Sequence, residues 1–190
     1  MNHLFIGYDS KETVAWHVLV HSIMRRTKTP LSITPIGNEV LPESIWWRPR
    51  GPHDSTEFSN ARFLTPYLAD YQGFAAFMDC DMICTVNIDE LFALADDQYA
   101  VMVRKHQYIP QNSTKFLGQE QSRYHRKNWS SLMLFNCGHP ETKNLTLEYA
   151  NNSPGLDLHG FAWCSDQFIG SLPTDWNHLV THRNEKHVAA

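Results

Sequence analysis

One stretch limits what this chain can fold into. Phe74-Ala75-Ala76-Phe77-Met78-Asp79-Cys80-Asp81-Met82 is an apolar run, set off by Gly73, that stops on two carboxylates one residue apart. Five apolar residues without alternation suit a strand covered on both faces, as in a parallel sheet flanked by helices. Ligands of open α/β sheets collect beyond the carboxyl ends of such strands, so Asp79 and Asp81 are expected where a ligand binds. Two carboxylates this close in apolar surroundings repel unless a cation sits beside them. Hard oxygen ligands with open coordination positions favour Mn²⁺ or Mg²⁺, ions that also bridge diphosphate oxygens. A nucleotide-diphosphate substrate is the expectation that follows, with two solvated turn aspartates as the plain alternative.

At 190 residues the chain is expected to form one domain, and 42% hydrophobic with 19% charged residues is the composition of a folded globular protein. The net charge is −4, and no basic block exceeds the scattered Arg123, Arg126 and Lys127, so no nucleic-acid partner is expected. No run approaches the length of a membrane span. The chain enters the strand-like Leu4-Phe5-Ile6 without a secretory pattern, which predicts no transmembrane segment and a cytoplasmic location. Cys80, Cys84, Cys137 and Cys164 form no C-x-x-C, so neither disulfides nor a zinc site are expected from them. His17 and His21 have the H-x-x-x-H spacing, but on an apolar helical stretch they read as packing residues. Sequons begin at Asn112, Asn128, Asn144 and Asn151 and carry no weight without a secretory signal.

Leu4 to Tyr8 reads as a strand, Asp9-Ser10 as a turn and Thr13 to Arg26 as a helix. Asp9 or Ser10 is placed to cap that helix, or Asp9 to read a base or ribose. Neither G-x-G-x-x-G nor a P-loop is present. Leu31 to Ile36 is a second strand. The long loop from Gly37 to Thr56 carries Trp46 and Trp47, which are expected to pack rather than to stack on a sugar or base. Ser59 to Leu68 reads as a helix bearing Arg62, a cation within reach of a diphosphate. After the D-x-D, Asn87 and Glu90 have the spacing of a capping box opening a helix through Ala95. Tyr99 to Val103 and Ser131 to Phe135 are further strands, and Glu141 to Ala150 a helix. Arg104 to Asn128 is a polar excursion expected to be mobile over the site. Trp163 to Ile169 reads as a short helix whose polar start faces the site.

Taken together, Phe5-Ile6-Gly7-Tyr8-Asp9, Arg62-Phe63, Phe77-Met78-Asp79-Cys80-Asp81-Met82, Asn87-Ile88-Asp89-Glu90-Leu91, Ser165-Asp166-Gln167, Leu172-Pro173 and Trp176-Asn177 resemble glycosyltransferase family 8, in order across residues 4 to 178. The resemblance implies the α/β GT-A fold, a Rossmann-like nucleotide-diphospho-sugar transferase domain over residues 1–180. Its central sheet would be mostly parallel with flanking helices, and a polar tail would occupy 181–190. It implies that Gly7, Tyr8 and Asp9 line a uridine pocket, that Arg62 approaches the diphosphate, and that Asp79 and Asp81 hold Mn²⁺ or Mg²⁺. Asp166 and Gln167 would lie beside the anomeric carbon. The implied reaction moves a hexose from a UDP-sugar to a carbohydrate or lipid-linked acceptor with retention, by a front-face route.

Two features depart from the family pattern. Asn128-Trp129-Ser130-Ser131 is one residue out of register, leaving Asn128 as a candidate sugar contact only. The family's closing His-x-x-Gly segment, with its third metal ligand, has no match after Val180, where only His182 and His187 are available. A shortened, weakly active or inactive nucleotide-sugar-binding member is therefore the alternative reading. A D-x-D phosphatase is disfavoured by the late position of the motif and by Ile83.

Overall fold

The computed structural model describes residues 1–52, 54–106 and 126–180. The long polar excursion is thus described only at its two ends. Asn112, Arg123, His182 and His187 lie outside the described residues, as does the tail 181–190.

Strands β1 (Asn2–Gly7), β2 (Leu31–Ile36), β3 (Phe74–Met78), β4 (Val101–Val103), β5 (Leu132–Asn136) and β6 (Ile169–Ser171) form a six-stranded sheet ordered β2-β1-β3-β5-β4-β6. β1 runs parallel to β2 and β3, and β4 parallel to β6, while β5 is antiparallel to both β3 and β4. Two reversals cancel, so β4 and β6 share the direction of β3, and β5 alone runs the other way. The mostly parallel sheet expected from the sequence is present.

Ala75 to Met78 of β3, Leu4 to Gly7 of β1 and Leu132 to Phe135 of β5 are buried on consecutive residues. This is why these strands are apolar without alternation. β2 is half-buried at the edge and tolerates Pro35, since an edge strand has one row of N–H groups without a ladder partner. Gly170 in β6 lies under the ring of Tyr99, where an added Cβ would come within 2.6 Å of Tyr99 Cδ2.

The helices are α1 (Thr13–Met24), α2 (Thr65–Leu68), α3 (Asp89–Phe92), α4 (Leu147–Asn152) and α5 (Gly155–His159). Several are shorter than the periodicity predicts, each for a local reason. The segment from Ser59 divides into a 3₁₀ turn, Ala61–Leu64, and α2, which restarts with Pro66 in its first turn. Glu141 to Ala150 likewise divides into a 3₁₀ turn, Pro140–Asn144, and α4. The Thr146 hydroxyl accepts the Tyr149 N–H at 3.1 Å and opens α4. Asn87 Oδ1 accepts from Asp89 N–H at 3.1 Å rather than from Glu90, so an Asx-type turn replaces the capping box and α3 ends at Phe92.

The long loop after β2 is fastened by side chains. Trp46 is buried and donates to Asn38 Oδ1 at 2.7 Å, as packing predicts, whereas Trp47 is exposed. Buried Asn151 accepts from Trp47 and Arg48 N–H and donates to the Ile45 and Leu147 carbonyls, using its whole amide. All four cysteines are buried and unbridged. Among the described residues no helix is long and apolar enough to cross a membrane.

Candidate active site at the carboxyl end of the sheet

The D-x-D leaves β3 where the sheet points its parallel strands' carboxyl ends. Asp79 N–H donates to Ser131 O at 2.9 Å, so the turn leading into β5 holds the motif in place. The three residues then alternate. The Asp79 side chain is 21% exposed, Cys80 is fully buried and Asp81 faces solvent. The Cys80 thiol donates to Glu12 Oε2 at 3.2 Å, joining the loop before α1 to the motif. Burial first, then Glu12, Asp79 and Asp81, push that thiol far above the ordinary cysteine range.

Arg62 lies directly behind Asp79. Its Nη1 is 2.7 Å from Asp79 Oδ1 and also donates to Ser130 O at 2.8 Å, while Nε donates to Ser59 O at 2.9 Å. The guanidinium carbon lies 5.2 Å from the centroid of Phe58 and 4.9 Å from that of Phe77. A planar, weakly hydrated cation tolerates this burial because carbonyls, aromatic faces and a carboxylate surround it. Ser130 adds a 2.8 Å hydrogen bond between its hydroxyl and His159 Nδ1, a pair that no sequence spacing signalled.

Gly7, Tyr8 and Asp9 follow at the end of β1. A Cβ on Gly7 would lie 2.3 Å from Phe58 Cδ2, so the glycine admits the ring that supports Arg62. Tyr8 N–H donates to Ile36 O at 2.8 Å, and its ring stands edge-on to Trp16 with centroids 6.2 Å apart. Buried Asp9 accepts from Lys11 N–H at 2.9 Å and Glu57 N–H at 3.0 Å, and the Ser10 hydroxyl donates to Glu57 Oε1 at 2.7 Å. Neither residue caps α1, whose first turn has no side-chain cap. They tie the segment around Glu57 to the end of β1.

Asp166 and Gln167 are placed differently. They lie in a 3₁₀ turn, Asp166–Phe168, that runs straight into β6 instead of forming the expected helix. Because β6 and β3 share a direction, the pair stands at the amino end of its strand while Asp79 and Asp81 stand at the carboxyl end of theirs. The sheet itself therefore does not bring them together. Asp166 is held by Arg126, whose Nη2 pairs with its Oδ1, whose Nη1 donates to Gly160 O at 2.9 Å, and whose guanidinium lies 5.4 Å from the Trp129 ring centroid. Arg126 is 9% exposed at its side chain and Asp166 is 82% exposed, so a buried cation holds an accessible carboxylate. In the sequence Arg126 is only one of three scattered basic residues.

Asn128 adopts left-handed φ 64°. Its carbonyl accepts from Ser131 Oγ at 2.7 Å and Asn177 Nδ2 at 3.1 Å, so the segment after β6 is bound back to the turn that carries Ser130 and Ser131. Among the described residues no cluster of three or more His, Cys, Asp or Glu residues forms a metal site. One partly exposed and one exposed carboxylate suit a small hard cation that takes its remaining ligands from diphosphate and water.

No protein-family model matches the chain. Among solved structures, the bifunctional glycosyltransferase WbbM overlaps 91% of this chain and 39% of its own, with TM-score 0.62 and 15% identity. The glycosyltransferase GlyE of Streptococcus pneumoniae overlaps 92% and 46%, with TM-score 0.54 and 15% identity. The galactosyltransferase LgtC, in complex with donor and acceptor sugar analogs, overlaps 90% and 73%, with TM-score 0.54 and 13% identity. The chain thus spans less than half of WbbM and of GlyE, and the likeness is one of fold: the sheet is that of the GT-A class. Protein CDI of Arabidopsis thaliana is 48% identical over 180 residues, which cover 94% of this chain and 70% of that protein. At that identity and coverage, the chain is a member of the family of the Arabidopsis Protein CDI, folded as a GT-A domain.

Proposed function

We propose that this chain is a metal-dependent glycosyltransferase of the family 8 type, moving a hexose from a UDP-sugar to a carbohydrate or lipid-linked acceptor with retention. The observation that carries the reading is the D-x-D at the carboxyl end of β3, with Arg62 buried against Asp79. The GT-A neighbours named as glycosyltransferases support it, and among them LgtC is held in complex with donor and acceptor sugar analogs.

In this reading Asp79 and Asp81 hold Mn²⁺ or Mg²⁺, which when bound neutralises charge building on the departing diphosphate. Arg62 keeps the Asp79 carboxylate fixed and adds positive charge behind it. Gly7, Tyr8 and Asp9 border the nucleoside side. Asp166 and Gln167 hold sugar or acceptor hydroxyls, with Arg126 orienting Asp166. The bond between the anomeric carbon and the phosphate oxygen breaks as the acceptor oxygen bonds to the same face of that carbon. The acceptor proton passes to the departing phosphate oxygen, so no enzyme nucleophile is required.

The test is UDP release from a panel of UDP-hexoses, with and without Mn²⁺, for the unaltered protein and Asp81→Asn. Manganese-dependent release that disappears in the variant is the expected result. A panel in which no UDP-hexose is cleaved or bound with manganese present discards the reading.

A further inference from the structure

Helix α1 carries no charged residue from Thr13 to Met24, yet only Leu19, Ser22 and Ile23 are buried. A helix apolar nearly all round is ordinarily covered all round. Here the outer strip is open, with Val14 75%, Val18 47% and Met24 54% exposed. His17 and His21 lie in that same strip, both exposed, which overturns the expectation that the pair packs inside. Four residues apart on a helix, their Cβ atoms are about 5–6 Å from each other on one face. This is the spacing by which two helical histidines take one zinc ion. The His17 ring stands edge-on to Trp16, with centroids 5.3 Å apart and an interplanar angle of 86°, which restricts its motion.

We propose that His17 and His21 form half of a zinc-class metal site, completed by the same two residues of a second copy of this chain. Imidazole nitrogen suits Zn²⁺, Cu²⁺ and Ni²⁺, whereas the hard carboxylates at the D-x-D suit Mn²⁺ and Mg²⁺, so the two sites differ in kind. Structural zinc takes four ligands in a tetrahedron. Among the described residues no cluster of three or more candidate ligands occurs; in the proposed site α1 supplies two ligands and a second copy the other two. A twofold axis between antiparallel α1 helices supplies them, since it sets His17 against the partner's His21 and His21 against the partner's His17. The same register sets Val14 against the partner's Met24, closing the exposed apolar strip on itself. Arg25, just past the helix end, then faces the partner's Thr13, and no charge opposes a like charge along the contact.

The test is the mass of the intact chain in solution by sedimentation velocity, in EDTA and in stoichiometric ZnCl₂, with zinc counted in the isolated species. A monomer in EDTA that doubles its mass in zinc, at one ion per two chains, is expected. His17→Gln and His21→Gln should each abolish the doubling, while the double variant Asp79→Asn, Asp81→Asn should still dimerise. That last variant separates this site from the D-x-D, so the proposal survives failure of the transferase reading. A mass unaffected by zinc overturns the proposal, as does a dimer that persists in both histidine variants, or one zinc bound per monomer.

Discussion

Arg62 and Asp79 come from different elements and meet at 2.7 Å, with the arginine side chain 7% and the aspartate side chain 21% exposed. The contact joins a core residue to a site residue, so structure and proposed chemistry share one carboxylate. Arg62 also donates to the Ser59 and Ser130 carbonyls and lies between Phe58 and Phe77. Substitutions at the two ends of the pair therefore have unequal consequences.

Arg62→Ala removes the cation and leaves Asp79 and two carbonyls without it, which should cost about 3 kcal/mol, as when one partner of a buried pair is lost. Asp79→Asn leaves Arg62 its carbonyl partners and should cost less, about 1.5 kcal/mol. Urea denaturation of both variants checks the order. Equal losses would show that the carbonyl contacts contribute nothing measurable.

Gly7→Ala places a methyl group 2.3 Å from Phe58 Cδ2 in a buried setting, so the ring must move. Overpacking of this kind costs about 1–3 kcal/mol. Thermal unfolding should show the loss, and adding Phe58→Leu should recover part of it, because residues in contact are not additive. A double variant as unstable as the sum of the singles would place the strain elsewhere.

Asp81 faces solvent, so Asp81→Asn should change stability by less than about 0.5 kcal/mol. In the proposed function the same change removes an anionic metal ligand, and calorimetry should show manganese-linked UDP binding lost. Intact binding in a stable variant removes Asp81 from the metal site. Asp79→Asn cannot make this distinction, since it also removes the ion pair with Arg62.

The buried thiols give the protein an alkaline limit. Burial pushes Cys137 and Cys164 up to about 12. Burial also raises Cys80 and Cys84. In the unfolded chain a cysteine deprotonates near pH 8.5. Above that pH the unfolded state has lost protons that the folded state still holds, so unfolding becomes more favourable as pH rises. Stability should be unaffected by the thiols below about pH 8.5 and should decline from there toward pH 12. Each of these thiols contributes a slope of up to about 1.4 kcal/mol per pH unit. Urea midpoints from pH 7 to 11 check this, and a flat profile for the unaltered protein would refute it. Iodoacetamide should label these cysteines only as the protein unfolds.

The parts legible in the sequence were those with a local cause. β3 announced itself because a strand covered on both faces needs consecutive apolar residues, and the D-x-D marked its end without reference to any other element. β1 and β5 were legible for the same reason, within a residue or two, whereas the half-buried edge strand β2 alternates apolar and polar residues from Leu31 to Thr34. Tertiary structure decided the rest. Ile169-Gly170-Ser171 is a strand because β4 offers an edge and Tyr99 a ring above Gly170; its three residues have no period of their own. Asp9 could have capped α1 on sequence grounds, but Glu57, 48 positions away, supplies an N–H that competes for its carboxylate. Arg126 looked like one of several surface charges until folding laid Trp129 beneath it and Asp166 in front of it. His17 and His21 have the same spacing on an inner or an outer face, and the docking of Leu19 and Ile23 into the core is what turned them outward. Local patterning sets which residues become strand or helix, because backbone hydrogen bonds and side-chain periodicity act over a few residues. The partners of a polar side chain are set by long-range packing, and no spacing along the chain encodes them.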